Sequence, residues 1–472
     1  MDPHGAMEPG VARRDAREFT LVQVVSGSLM NLPGFWKTRY RLLFIAWLLG
    51  SGLWCGRLLT AASPDQIISY KHADADQTVP NENARRFIFT ADPDPRYFAA
   101  KPGSLAKARA RFQGGDKTLA RAVRNLVGEA DEALRIKPPS VTEKSKLPPS
   151  GDRHDYMSLA PYYWPDPKTI TGLPYVRHDG RVNPESRDAQ ANDGPRVKLM
   201  GNSIETLALA FCFTTNEIYA AHAAAFARAW FITPSTRMNA HFKFAQAVQG
   251  ENDGRGTGII EARSIAQAAD ALGLLAGAKS WTAADRQAFD AWIDAFLNWL
   301  LTSKAGQDEH AARNNHGTIF DVQTARLALY LGRNDLARRI LEEAKRRRIA
   351  VQIEPDGRQP LELVRTASFS YSRFNLEALA ELATLGEHAG VDLWHFATPD
   401  GRSIRRALEF MLPYLENPAA KWPFEQIKDR HDADFLPILR AASLAYDAPE
   451  WERFIGKHPD ASGKRFQVLF AQ

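Results

Sequence analysis

The chain reads as an all-α protein, an (α/α) toroid or incomplete barrel of antiparallel helix hairpins. From residue 118 onward, apolar side chains recur at three- and four-residue spacing in one run after another. Period-two alternation, the mark of a half-buried strand, is scarce, and 349–353 (Ile-Ala-Val-Gln-Ile) is its best short example. Connections between the helical runs are short, which folds neighbours antiparallel, and no strict repeat marks an open solenoid.

Residues 1–63 have the order of an N-terminal leader and signal peptide. Lys37, Arg39 and Arg41 precede a thirteen-residue apolar-to-small stretch, 42–54, and small residues follow at 60–63. A membrane-spanning helix needs about twenty apolar residues, so this stretch predicts export and cleavage, with an uncleaved anchor as the alternative. Met30 is a second candidate start, because 1–29 place a long polar leader ahead of the signal. The expectation is a periplasmic or secreted protein with no stable membrane insertion after cleavage. Cys55 would leave with the signal, and Cys212 would remain alone, so stability must come from the core rather than from an internal disulfide.

Residues 64–117 are polar and interrupted by Pro80, Pro93 and Pro95, which predicts an irregular segment. Helical texture starts at Thr118, with Leu119, Val123, Leu126, Val127, Ala130 and Leu134 on one face, and the toroid domain is expected to run from 118 to 472. Residues 137–200, rich in Pro, Gly and Asp, predict a long loop, and long loops inside a compact domain are usually functional. Asn202 with Glu205 has the form of a capping box opening a helix to about 231, and Thr282 with Asp285 has the same form ahead of Trp292, Phe296 and Trp299. Further helical runs cover roughly 259–277, 318–331, 334–349, 372–388, 402–415 and 434–446, and Gly332 sits where a C-terminal cap belongs. The basic run Lys345–Arg348 reads as a solvated helix face.

Hydrophobic residues make up 44% and charged residues 24%, so a sizeable core is available and general disorder is excluded. Of the net +5, the first 63 residues contribute +3 (seven Lys/Arg, four Asp/Glu), leaving 53 basic against 51 acidic side chains. That balance excludes a nucleic-acid partner, whose binding rests on many phosphate-neutralising cations. A monomer is expected.

The chemistry gathers in two places. Asn314-Asn315-His316-Gly317 places a side-chain amide beside an imidazole, and Arg365 precedes Tyr371 in the segment Arg-Thr-Ala-Ser-Phe-Ser-Tyr. A polyuronate is cleaved by β-elimination when a base removes the C5 proton, and that proton is acidic only if the adjacent carboxylate is neutralised. Donors at the carboxylate are therefore the main requirement, each worth about 10²–10³ in rate in other enzymes. Asn315 and His316 offer two. The Tyr371 phenol would take the proton once a neighbouring cation, Arg365 or a protonated His316, lowers its pKa. Read piece by piece, the same residues are also a helix start with Asn as cap, a surface cation and a core phenol.

These segments, with Asn375-Leu-Glu-Ala-Leu379 and the upstream run 155–167 (Asp-Tyr-Met-Ser-Leu-Ala-Pro-Tyr-Tyr-Trp-Pro-Asp-Pro), resemble the alginate lyase domain superfamily over roughly 150–400. That group includes polysaccharide lyase family five and the related family thirty-eight, and the run 155–167 is more similar to the latter. The resemblance implies an (α/α) toroid, an acidic polysaccharide substrate, and catalytic roles for Asn315, His316, Tyr371 and Arg365. Mannuronate-rich alginate is the expected substrate, with glucuronan as the alternative.

Tyr162, Tyr163 and Trp164 lie among prolines, either as local packing or as a sugar-stacking wall, with Tyr175 and Arg177 on the same excursion. His241, Gln246 and Arg255 belong to a second polar loop system with similar text in the family, and Arg255 would bind a carboxylate bidentately unless the 252–256 segment is only a turn. No cofactor and no catalytic metal are expected: His310 and His316 are six apart and share no helical face, and phosphate loops, dinucleotide fingerprints and nucleophile elbows are absent. Two competing readings are a glycoside hydrolase using a carboxylate pair such as Glu261 and Glu362, and a non-catalytic glycan-binding protein.

Overall fold

The computed structural model describes residues 96–417, 420–458 and 461–471. The expected leader and signal and most of the segment to residue 117 lie outside the described residues, as does Cys55. Among those described, no helix is long and apolar enough to cross a membrane.

The described chain is an (α/α) toroid with four short strands. Five successive helices form its inner ring: Gly194–Thr214, Arg263–Leu272, Asn315–Tyr330, Ser368–Ala389 and Leu436–Tyr446. Each packs on the next, and Lys117–Ala133, Glu217–Ala227 and Asn334–Ala344 pack outside them. Between the layers lies an apolar core in which Phe226, Trp230, Phe231, Phe289 and Phe296 are fully buried. Burial of a side chain of this size contributes about 1.5–3 kcal/mol, which is how a fold without disulfides is held. Cys212 is buried and unpaired.

Several boundaries follow the sequence. The Thr282 hydroxyl accepts from the Asp285 amide at 3.1 Å and the Asp285 carboxylate accepts from the Thr282 amide at 3.0 Å, a true capping box opening the helix Ala283–Thr302. Gly332, at φ 71°, closes Asn315–Tyr330.

Others depart from it. A helix, Ser104–Gln113, forms inside the segment expected to be irregular, because Leu105 and Ala108 are buried in the core. Asn202 and Glu205 do not open a helix, since Gly194–Thr214 already runs through them; Glu205 instead accepts from the Tyr97 hydroxyl at 2.6 Å and from Arg465 at 2.5 Å. That run breaks at Thr215, in the left-handed region at φ 56°, and restarts behind the cap Asn216. The expected strand 349–353 is helical at Ala350–Gln352, where helix packing overrides its β-branched content. Arg348 in the basic run is buried rather than solvated, paired with Asp321 at 2.7 Å. An unanticipated helix, Lys304–Ala311, precedes the Asn-Asn-His-Gly turn.

The long loop is built, not loose. Met157–Leu159 pairs in parallel with Phe244–Ala247, and Tyr163–Trp164 pairs antiparallel with Val176–Arg177, setting Tyr163 opposite Arg177. Lys144 and Asp193, neither exposed, meet at 3.1 Å where the loop enters the Gly194 helix.

Candidate active site

The inner helices and the loop hairpin enclose a cavity of about 880 Å³. Asn315, His316, Arg365 and Tyr371 all line it.

Asn314 caps the helix Asn315–Tyr330, accepting from the His316 amide at 3.3 Å, so the capping reading and the site reading describe one turn. Asn315 is held by one carboxylate: its amide nitrogen donates to Glu362 Oε1 and its side-chain Nδ2 to Glu362 Oε2, both at 2.7 Å. Burial pushes the Glu362 carboxyl up, while the two Asn315 bonds work against the shift. His316 Nδ1 lies 2.7 Å from Oε1 of Glu309, which is 1% exposed. A carboxylate accepts, so Nδ1 carries the hydrogen and Nε2 is the nitrogen left for a ligand. Gly317 is required by the turn: a Cβ there would stand 2.0 Å from the Ala312 carbonyl and 2.5 Å from Arg348 Nη1. Arg348 in turn donates to the carbonyls of His310 and Ala312, both at 2.8 Å, which braces the approach to this helix. Burial holds His310 neutral, lowered to about 4.

Tyr371 stands in the first turn of Ser368–Ala389 and donates to the Tyr162 hydroxyl at 2.7 Å. The Arg365 guanidinium lies 3.7 Å from its ring centre. Burial, then the Tyr162 hydroxyl, pushes the Tyr371 phenol above its ordinary range, and the Arg365 cation pulls it down without winning. The lowered pKa expected from the sequence is thus not the free protein's state. Arg365 itself is gripped by Asp179, its Nη2 at 2.6 Å and its Nε at 3.0 and 3.1 Å from the carboxylate.

Of the expected binding residues, Tyr162, Tyr163, Arg177, Gln246 and Arg255 line the cavity. Arg255 donates to the Gln246 side chain at 3.1 Å and to the Tyr163 hydroxyl at 3.3 Å, with its guanidinium 4.9 Å from the Tyr163 ring centre. Trp164, Tyr175 and His241 do not line it. The Trp164 indole donates to the Arg181 carbonyl, the Tyr175 hydroxyl donates to Glu185, and His241 Nε2 sits 3.0 Å from Asp155.

Sequence reasoning missed Glu309, Asp179 and the wall cations Arg187, Lys198 and Arg263. Nothing periodic marks a buried carboxylate, although Asp179 lies two residues past Arg177. The carboxylate pair of the hydrolase reading is already engaged: Glu362 holds Asn315, and Glu261 accepts from Tyr156 and Ser158, both at 2.6 Å. Among the described residues no group of three or more His, Cys, Asp or Glu is placed to hold a metal ion.

A helical toroid whose cavity sets an amide, an imidazole, a guanidinium and a phenol among wall cations is the architecture of a polysaccharide lyase. The alginate lyase family model matches residues 140–421, and this chain belongs to that family. An alginate lyase from Bacteroides ovatus is similar at 36% identity, with 80% of this chain and 99% of that one covered and a TM-score of 0.76. Alginate lyase A1-III from Sphingomonas species A1 shares the fold at 17% identity, TM-score 0.50, over 80% and 97% of the two chains. A variant of alginate lyase A1-III complexed with tetrasaccharide does so at 17% identity and TM-score 0.53, with the same coverage. A search of curated proteins found no match.

Proposed function

We propose that this polysaccharide lyase cleaves a β-1,4-linked polyuronate, mannuronate-rich alginate above others, by β-elimination that leaves a 4,5-unsaturated uronate end. The observation that carries the reading is the convergence of Asn315, His316, Arg365 and Tyr371 on one cavity among the cations Arg177, Arg187, Lys198, Arg255 and Arg263. Asn315 Nδ2, through its second hydrogen, and His316 Nε2, with the ring carrying a hydrogen on both nitrogens, would donate to the C5 carboxylate, each already oriented by a carboxylate behind it. With that charge neutralised, the Tyr371 phenolate would take the C5 proton and the C4–O bond would break. The same phenol would then return a proton to the leaving oxygen. Arg365, stacked on the ring, would favour the phenolate. Tyr162, within hydrogen-bond reach, is the group through which Tyr371 would shed its proton beforehand.

The lyase would act as a monomer, exported to the periplasm or beyond by its N-terminal segment. Its fold relatives support the polymer class, since a variant of one is described with a tetrasaccharide bound. The deciding experiment offers the purified protein polymannuronate, polyguluronate and glucuronan in turn and follows the ultraviolet absorbance of the unsaturated product. Absorbance should rise fastest on polymannuronate. A faster rise on glucuronan would replace the substrate, and none on any of the three would end the reading.

A further inference from the structure

Asp179 lies outside the four catalytic candidates, yet it gathers more hydrogen bonds than any of them. Arg365 Nε and Nη2, the Thr366 amide at 3.2 Å, the Thr366 hydroxyl at 3.1 Å and Arg177 Nη2 at 2.7 Å all donate to its carboxylate. Its backbone carbonyl accepts from the Thr366 hydroxyl as well, at 3.0 Å. The next residue makes this approach possible: Gly180, at φ +72°, has no room for a Cβ, which would fall 2.5 Å from Thr366 Oγ1.

The hairpin formed by Tyr163–Trp164 and Val176–Arg177 brings Asp179 and Tyr162 together, and the His178 amide donates to the Tyr162 carbonyl at 2.7 Å. One hairpin therefore touches both members of the stacked pair, Tyr162 at Tyr371 and Asp179 at Arg365. Arg365 presents Nε and Nη2 to Asp179 as a bidentate fork, so the plane of its guanidinium is set by that carboxylate. Its Cζ stands over the Tyr371 ring, 3.7 Å from the ring centre.

We infer that Asp179 is a positioning residue for the reaction, holding the Arg365 guanidinium over Tyr371 so that the cation bears on the phenol and not on open solvent. The inference rests on the reading of Tyr371 as the base. It gives Arg365 a defined target: with its fork engaged by Asp179, Arg365 acts on Tyr371 through the ring face, while Asn315 and His316 face the sugar carboxylate.

A double-mutant cycle tests this on the polyuronate that the wild-type enzyme cleaves fastest. Asp179→Ala should lower kcat by between about 10- and 100-fold with little change in KM, the scale of a misplaced catalytic group. The rising limb of its kcat–pH curve should move to higher pH: of the groups that bear on Tyr371, Tyr162 and Asp179 hold the phenol up and Arg365 pulls it down more strongly than Asp179 raises it, so displacing the cation outweighs removing the Asp179 charge. In an Arg365→Ala background, Asp179→Ala should change kcat by no more than about twofold. Equal losses in both backgrounds, or a change confined to KM and melting temperature, would make Asp179 only an anchor for the hairpin and overturn the inference. A limb moving to lower pH would overturn it too, since Arg365 would then have kept its place without Asp179. If circular dichroism shows that Asp179→Ala does not fold, the near-isosteric Asp179→Asn is read through the same cycle. Tyr371→Phe tells the two readings apart. If it keeps wild-type turnover, the base assignment falls and this inference with it; if it is inactive while Asp179→Ala is not, the inference alone falls.

Discussion

Burial and a hydroxyl partner keep the Tyr371 phenol protonated, and one stacked cation opposes them. As the proposed base, a phenol held above its ordinary range would gain its working form as pH rises, so turnover should climb from neutral into alkaline solution, as a kcat–pH profile would record. Tyr371→Phe keeps the ring and its contact with Arg365 but removes the proton acceptor. It should cost about 10²–10⁴ in kcat while glycan binding persists, and unchanged turnover would assign the chemistry elsewhere. Adjacent in sequence, Asn315 and His316 were legible because an amide and an imidazole side by side already suggest carboxylate recognition. Their supports were not. Glu309 is seven residues before His316 and Glu362 is 47 after Asn315, and only packing brings each to 2.7 Å.

The Asn314–Gly317 turn is where local chemistry and the site coincide. Asn314 does the capping, and Gly317 does the packing against Ala312 and Arg348. Gly317→Ala must push back a backbone carbonyl and a buried guanidinium, which should destabilise the fold by about 1–3 kcal/mol, an overpacking cost measurable by denaturant unfolding. A neutral result would mean that the turn yields. Helices were legible wherever a strong apolar period met a cap, as at Thr282. Legibility failed at 349–353, where Ile349, Val351 and Ile353 suggest a strand by type but continue from a helical turn. It failed again at Asn202, because an Asn with a Glu three residues later looks the same inside a helix as at its start. There Glu205 answers to Tyr97 and Arg465, both remote in sequence.

Across the whole molecule, the wall of the cavity depends on a loop running from residue 137 into the Gly194 helix, and its buried tie is Lys144 with Asp193. Burial raises Asp193 to about 6 and lowers Lys144, while their mutual attraction opposes both shifts. Lys144→Met strands the carboxylate with Arg196 at 3.5 Å as its remaining cation. The loss should be about 3 kcal/mol near pH 8, the lower end for a broken buried pair. Because Lys144 holds the Asp193 carboxyl down, the variant's Asp193 takes up its proton at a higher pH than the wild type's, so the loss should shrink as the pH falls toward about 6 and level off below it. Unfolding curves of both proteins at two pH values measure this, and a loss independent of pH would show that the pair is not what Lys144→Met disturbs.

The sequence by itself determined the helical class, since apolar spacing is a local property that each helix carries, and it singled out the four groups proposed for the chemistry, since their types and order are local too. Only the tertiary structure decided how those groups are aimed. Glu362, Glu309 and Asp179 take hold of Asn315, His316 and Arg365 across 47, seven and 186 residues. A carboxylate's grip depends on distance and burial, which no spacing along the chain encodes.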